Sequence, residues 1–379
     1  MPPLSGTTVT RRAAGGSRRA GRTRIAAVAT SVLAIVTAAC AGLPPAPDPS
    51  HLAALPCRQS VPKAASISWW SAASRRDRDD LARWCETVGP VLFEPGLASQ
   101  HAPPTDTLFV VSWNVHVGSG DVDMLIRSLR AGEFTAGTRV DNFVLLLQEA
   151  YRRDDAIPAR LQSEYAVPSR IAARRGRGPD VSHLWRDAGL ALLYAPSMRN
   201  GFTDRDREDR GNAIASTFAL GQPAVLELPL EHQRRVAAVA VVQGRTTRGE
   251  PWRVRVADVH LDTALALMRG GPSAARRRQA EALVAALAAT APDTDHLTTI
   301  VAGDFNTVFG SREPAIAYLR AAFPDGPAPP DVTTFSGPLG FHATLDHVFV
   351  GGRVKSVEVR RLPSRFGSDH YPLLATISF

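Results

Sequence analysis

From Leu108 to Phe379, short apolar runs alternate with longer stretches whose apolar residues recur every three or four positions. The runs are Leu108–Val115, Phe143–Gln148, Gly189–Tyr194, Asn212–Phe218, Val236–Val242, Arg253–His260, Thr299–Phe305, Thr344–Val350, Val354–Arg360 and Leu373–Phe379. Their length and their Val, Leu and Ile content suit strands buried on one or both faces. Helical spacing links Val122, Leu125, Ile126 and Leu129, then Ala280, Leu283, Val284 and Leu287, then Ile316, Leu319 and Phe323. Ser273, just after Pro272, is a start signal for the second of these helices. A half-apolar strand and a striped helix each need a partner surface. Two sheets packed together with helices outside bury all of these surfaces at once. No internal repeat is visible.

Upstream the pattern changes. A basic stretch ends at Arg24, an apolar run follows from Ile25 to Ala39, and small residues precede Cys40. This is the layout of a secretory signal. Spanning a bilayer takes about 20 apolar residues, and this run is shorter and interrupted by Thr30, Ser31 and Thr37. Val36-Thr-Ala-Ala-Cys40 resembles a bacterial lipobox, departing from it at Thr37, and so marks Cys40 for lipid attachment. The expected organisation is a signal over 1–40, a Pro/Ala-rich tether over 41–56, a small helical appendage over 57–105 and a self-sufficient main domain over 106–379. Cys57 and Cys85 are expected to pair in an oxidising compartment. The protein is expected to be exported, as an envelope lipoprotein or a secreted chain, and monomeric, touching membrane only through Cys40.

Charge changes little once it is located. The formal net charge is +8, but Arg11, Arg12, Arg18, Arg19, Arg22 and Arg24 contribute six of these with no acid among residues 1–40. The basic balance belongs to the leader and carries no argument about substrate.

Polar residues at the ends of the apolar runs carry the chemistry. They are Ser112-Trp-Asn114-Val-His116, Gln148-Glu149, Val259-His260-Leu-Asp262, Gly303-Asp304-Phe-Asn306, Leu345-Asp346-His347 and Ser368-Asp369-His370-Tyr-Pro372. Each alone has a bland reading: a Gly-Asp-Phe-Asn turn, a paired buried acid, a satisfied core histidine. Taken together in this order they resemble the endonuclease/exonuclease/phosphatase superfamily. That group includes pancreatic deoxyribonuclease, abasic-site endonucleases, neutral sphingomyelinases and inositol polyphosphate phosphatases. The resemblance implies an α+β fold, a four-layered α/β/β/α sandwich of two mostly antiparallel sheets face to face with outer helices. It implies metal-dependent phosphoester hydrolysis with Mg²⁺, or alternatively Mn²⁺ or Ca²⁺.

Residue by residue, the resemblance places Asn114, Glu149 and Asp369 at the metal. Asp304 and Asn306 match the pair that orients the attacking water and holds the phosphate. His260 and His370 match the phosphate-contacting histidines, and Asp346 the acid that fixes the second imidazole. Asn212 matches a substrate-facing position, with a capped strand start as its structural alternative. His116 stands where some members have Asp, which leaves the number of metal ions open. Asp262 and His347 are expected to support the structure.

His260 argues against the abasic-site enzymes, which lack a histidine on this strand. With 7% aromatic residues and no aromatic cluster in the catalytic region, the sequence does not suggest the lipid-inserting hairpin of a sphingomyelinase. Arg170–Arg177 and Arg205–Arg210 offer grips for phosphates, although Asp204, Asp206, Glu208 and Asp209 neutralise the second. External nucleic acid is therefore the first expected substrate, and a phospholipid, sphingomyelin or inositol-phosphate-like ester the second. A non-catalytic surface binding protein would be expected to have lost one of Glu149, Asp304, Asn306, Asp369 or His370, and all five are present.

Overall fold

The computed structural model describes residues 67–71, 81, 83–96, 103–158, 171–174, 179–203, 205–263, 271–290, 297–327 and 332–379. The expected signal and tether, Cys40 and Cys57 lie outside the described residues, as do Arg170, Arg175, Arg177 and Asp204. The chain runs β1 (Ser68–Ser71), β2 (Leu92–Glu94), β3 (Thr107–Asn114), α1 (Val122–Ala131), β4 (Phe143–Arg153), α2 (His183–Arg186), β5 (Ala191–Asn200) and β6 (Glu208–Ser216). It continues through β7 (Gly221–Glu227), β8 (Val236–Arg245), β9 (Pro251–His260), α3 (Gly271–Ala289), β10 (Leu297–Asp304), α4 (Pro314–Ala322), β11 (Phe335–Ser336) and β12 (His342–Ala343). The last strands are β13 (Asp346–Gly351), β14 (Ser356–Arg361) and β15 (Leu373–Ser378). Among the described residues no helix is long and apolar enough to cross a membrane.

A six-stranded sheet has the order β1-β7-β8-β9-β10-β13, and a seven-stranded sheet the order β14-β15-β3-β4-β6-β5-β2. Side chains alternate between the faces of a strand, and this alternation builds the layers. Val110, Val144, Val256, Ile300 and Val348 point inward and form the core between the sheets. Their neighbours Val111 and Leu145 point outward against Leu125 and Leu129 of α1. On the opposite side Val259 and Val301 meet Leu283 and Leu287 of α3 and Ile316 of α4. Both sheets are thus buried on two faces, which is why their sequences read as nearly continuous apolar runs. Asp121 starts α1 by accepting the Met124 N–H at 2.8 Å, and Gly132 ends it at φ 75, in the left-handed conformation that suits glycine. The four-layered sandwich is the expected fold.

Segment 57–105 is helical at Leu81 and Arg83–Cys85 among its described residues, and it is also woven into the sandwich. It contributes an edge strand to each sheet: β1 pairs in parallel with β7 (Trp69↔Val225), and β2 pairs antiparallel with β5 (Phe93↔Leu193). Trp69 packs on the inter-sheet core and Trp70 on the outer core beneath α3 and α4. Two tryptophans on opposite faces follow a strand's period of two, in a run too short to declare it. A buried polar knot also holds the segment. Arg152 Nε donates to Asp209 Oδ1 at 3.0 Å, Arg152 Nη1 donates to the Pro90 carbonyl at 2.6 Å, and the Gly89 N–H donates to Asp209 Oδ2 at 2.8 Å. Cys85 is disulfide-bonded. The sequence reading also missed β7, because Gly221-Gln-Pro223 resembles a turn; the strand accommodates it with a register shift between Gly221 and Ala224.

Candidate active site

The same alternation that builds the core delivers the site. Inward positions on β3, β9, β10 and β13 are apolar through the middle of the sandwich, then turn polar at one end, through Ser112 and Asp258, to Asn114, His260 and Asp304 at the ends of their strands and Asp346 at the start of its own. Four polar side chains therefore emerge at one end of the sandwich, on the floor of a cleft of about 860 Å³ or packed directly behind it. Glu149 lies on the wrong face for this rule, since Leu145 and Leu147 of its strand point outward. A bulge between Leu147 and Ala150 corrects it: Glu149 adopts φ 53 and lines the cleft instead of entering the core beneath α1.

Gly303 has a comparable role. It faces Val259 in the parallel β9/β10 pair, and a Cβ there would stand 1.7 Å from the Val259 carbonyl oxygen. Only glycine lets β10 approach closely enough to set Asp304 beside His260. Asn306 follows at φ 51, with its N–H donating to Asp304 Oδ1 at 2.8 Å and its Nδ2 donating to the Leu261 carbonyl at 2.9 Å.

Asp304 is the centre of the arrangement. Asn114 Nδ2 donates to its Oδ2 at 3.0 Å, and the same oxygen lies 3.4 Å from His260 Nε2 and 3.7 Å from His370 Nε2. Burial pushes the Asp304 carboxyl up to about 6. His370 Nδ1 stands 2.8 Å from Asp346 Oδ2. Burial by itself would lower the His370 pKa, but Asp346 and then Asp304 outweigh it and raise it to about 10. Burial holds His260 well below its usual range, helped by the nearby charges of Arg235 and His370. The site thus pairs one charged with one neutral imidazole across a single carboxylate.

Asp304, Asp346 and His370 present donor atoms that all lie within 4.8 Å of one another, a cluster able to coordinate a divalent metal ion. Asp346 Oδ1 is a buried oxygen without a hydrogen-bond partner, but His370 offers an ion a nitrogen only after giving up a proton, which Asp346 opposes. A second set of oxygens stands on the more open wall, where Glu149 and Asp369 line the cleft with His116. His116 Nδ1 lies 3.0 Å from Asp369 Oδ2. That hydrogen bond raises the His116 pKa. For Asp369 burial acts upward, but the His116 hydrogen bond and the His370 charge leave its pKa lowered.

Asn212 lies behind the cleft rather than on its lining. Its Nδ2 donates to the Asp258 carbonyl at 3.0 Å, bracing β6 against β9. It belongs to a polar layer beneath the site in which Gln148 Nε2 also donates to Asp258 Oδ1 at 2.6 Å. His347 is structural, with Nε2 2.9 Å from Thr307 Oγ1 and its pKa lowered by burial to about 3.

Sequence reasoning missed Arg235. It lines the cleft with only 2% exposure, and its Nε has no hydrogen-bond partner. Its neighbour Arg234 is spent in a buried pair, with Nε donating to Glu227 at 2.7 Å. Asp262 holds the turn before them, its Oδ2 accepting the His232 and Gln233 N–H groups at 2.7 and 2.8 Å. The signal available was an Arg-Arg pair opening an apolar run. The expectation of no aromatic cluster in the catalytic region is also corrected: Phe335 and Phe341, with ring centroids 6.0 Å apart, line the cleft together with Val308. They are dispersed among Gly and Pro in the sequence, so their density there is low.

The chain belongs to the endonuclease/exonuclease/phosphatase family, whose profile matches residues 111–370. It is a metal-dependent phosphoesterase. Among solved structures it is similar to an endonuclease/exonuclease/phosphatase family protein from Leptotrichia buccalis C-1013-b, at 14% identity over 72% of this chain and 100% of that one, with a TM-score of 0.46. A truncated TDP2 from Caenorhabditis elegans is 14% identical over 72% and 98% of the two chains, with a TM-score of 0.41. A Staphylococcus aureus beta toxin structure is 15% identical over 71% and 99%, with a TM-score of 0.40. Among curated proteins none matches.

Proposed function

We propose that this chain is an exported Mg²⁺-dependent phosphodiesterase in which Asp304 orients the attacking water. The observation that carries this is the placement of Asp304, buried and held by Asn114 and Asn306 between His260 and His370. Phosphodiester hydrolysis requires a positioned water, neutralisation of the phosphoryl oxygens and protonation of the leaving oxygen. Asp304 supplies an oxygen aimed at the cleft. His370, kept protonated by Asp346, and Arg235 supply positive charge for the phosphoryl group, and neutral His260 supplies a further contact.

Glu149, Asn114 and Asp369 would hold the ion. Mg²⁺ keeps several waters and uses few carboxylates, which favours this open wall over the sealed Asp346, whose side chain is 0% exposed. When bound, the ion would neutralise developing charge on the phosphoryl group.

The substrate lies between nucleic acid, the first expectation, and a phospholipid. Of the arginines expected to grip a polynucleotide, Arg207 pairs with Asp155 at the surface and Arg174 and Arg210 line the cleft. Together with Arg235 they suit one phosphoryl group better than a tracked backbone. The apolar wall of Val308, Phe335 and Phe341 favours the phospholipid. The test is incubation with plasmid DNA, RNA, phospholipid vesicles, sphingomyelin and phosphorylated inositols, with and without Mg²⁺. Release of phospholipid headgroups that excess EDTA abolishes is the expected result. Undiminished hydrolysis in EDTA would overturn the metal-dependent reading, and cleavage of DNA alone the lipid one.

A further inference from the structure

A second cavity, of about 350 Å³, lies beside the catalytic cleft. Its floor is apolar: Val115, Leu147, Ala150, Val181 and Leu184 are each no more than 5% exposed, and Tyr151 lies among them. Ser119 and Arg174 line both this cavity and the cleft, so the two hollows share a wall. That wall is braced. Arg174 Nη1 donates to the Val117 carbonyl at 2.7 Å, and the Arg174 N–H donates to Glu208 Oε2 at 2.6 Å. His116, Val117 and Gly118 follow one another at φ 48, 53 and 66. Left-handed backbone is costly for a β-branched residue such as Val117, and such strain gathers at functional sites. The turn brings Gly118 down onto the floor, where a Cβ would stand 2.7 Å from that of Tyr151.

The rim carries both signs of charge. Asp121, Asp123 and Asp180 stand there with Arg127 and Arg174. His183 of α2 ties the rim to α1, its Nε2 lying 3.2 Å from Asp123 Oδ1. Arg127, one turn along α1 from Asp123, has no hydrogen-bond or ion-pair partner among the described residues.

These groups limit what can enter. An ammonium group would meet two guanidinium groups, and an anion would meet three carboxylates. A planar base would find no ring to stack on, because Tyr151 is 2% exposed and the Arg174 guanidinium lies 5.3 Å from its ring centroid. A hydroxyl both donates and accepts, so it can bond to a carboxylate and to a guanidinium alike. The CH groups of a hydroxylated chain or ring suit the apolar floor.

We propose that this cavity receives a neutral polyol, of the glycerol or inositol kind, esterified to the phosphate that enters the catalytic cleft. The proposal rests on the phosphodiesterase reading above and names one substituent of that phosphate. Ser119 and Arg174, common to both hollows, mark where the ester would pass from one to the other.

The experiment compares the full chain with one carrying Asp123→Ala and Arg127→Ala, two rim residues outside the catalytic machinery. Alanine is the strongest helix former, so α1 is retained. Substrates are dihexanoyl phosphatidylglycerol, phosphatidylinositol and phosphatidylethanolamine, a thymidine dinucleotide and bis(p-nitrophenyl) phosphate, all in solution with Mg²⁺. The expected result is a kcat/KM about 10-fold higher for a polyol diester than for the ethanolamine diester, a preference lost in the variant. Turnover of bis(p-nitrophenyl) phosphate should be unchanged. The larger of the two polyol preferences tells glycerol from inositol. No polyol preference, or one that the variant keeps, overturns the proposal. So does a preference for the dinucleotide that the variant loses, which would assign the cavity to a base. If neither protein cleaves any diester, the phosphodiesterase reading fails and calorimetry with glycerol phosphate and inositol phosphate decides the pocket. Binding to the parent that the variant weakens supports it, and equal or absent binding overturns it.

Discussion

Asp346 and His370 meet across the two sheets at 2.8 Å, with side-chain exposures of 0% and 5%. Asp346 projects from β13 in the six-stranded sheet, while His370 precedes β15 in the seven-stranded one. The acid both charges the imidazole and fixes its rotation. Asp346→Asn removes the charge but preserves the shape, so turnover should fall by roughly 10²–10⁴-fold while metal affinity stays nearly constant. A double change of Asp346 and His370 should cost little more than His370→Ala, because the two act as one unit. Single-turnover assays with metal titrations test this, and additive losses would contradict it.

Two ionisations bound the active pH range. Turnover should rise as Asp304 loses its proton near pH 6 and fall as His370 loses its proton near pH 10. Asp346→Asn should move the upper limb to lower pH, because the carboxylate that raises His370 is gone. A pH–rate profile with the upper limb unmoved would remove His370 from that role.

Glu149→Gln keeps the shape of the side chain and removes its charge. The Mg²⁺ concentration for half-maximal rate should rise by at least the roughly 10–100-fold seen when supporting groups around a metal are lost. Equilibrium Mg²⁺ binding, measured without substrate, separates this from a loss of turnover alone.

Burial pushes Asp258 up to about 8. The folded chain therefore keeps a proton that the unfolded chain releases near its ordinary 3.8. Its contribution to stability is complete below that lower value and is lost as pH rises toward 8. Asp258→Asn, which stays neutral, should gain stability relative to wild type between pH 5 and pH 8. Urea midpoints at the two values give the difference, and a constant offset would show that the folded and unfolded chains hold the same number of protons at Asp258 across this range.

A chain beginning at residue 106 lacks β1, β2 and the Gly89 and Pro90 partners of the Arg152–Asp209 pair. A buried ion pair stripped of hydrogen bonds is strongly destabilising. Such a chain should unfold at lower urea than one beginning at Leu43, contrary to the self-sufficiency expected from the Pro103-Pro104 boundary. Equal midpoints would restore that boundary.

Much of the site was legible because its residues obey the strand rule. Asn114, His260 and Asp304 each end a largely apolar strand and Asp346 begins one, and that pattern needs no tertiary information. Glu149 was legible by type, but not its orientation, which depends on a bulge created by pairing with β6. Arg235 was hidden beside Arg234, an identical residue with a different fate. β1 was hidden by its four-residue length. The aromatic pair was hidden because Phe335 and Phe341 gather only when Gly337 and Gly340 fold the chain back.

The bonds at the heart of the site join one sheet to the other: Asn114 to Asp304, His370 to Asp346, and Gln148 to Asp258 below them. Neither sheet owns a complete site. The cleft is therefore a gauge of sheet-to-sheet spacing, which is about 10 Å in packed sandwiches. A slip between the layers disables the chemistry while every strand remains paired with its neighbours. Heating should silence this enzyme before it melts it, and lost activity will be the earliest sign that the sandwich has begun to part.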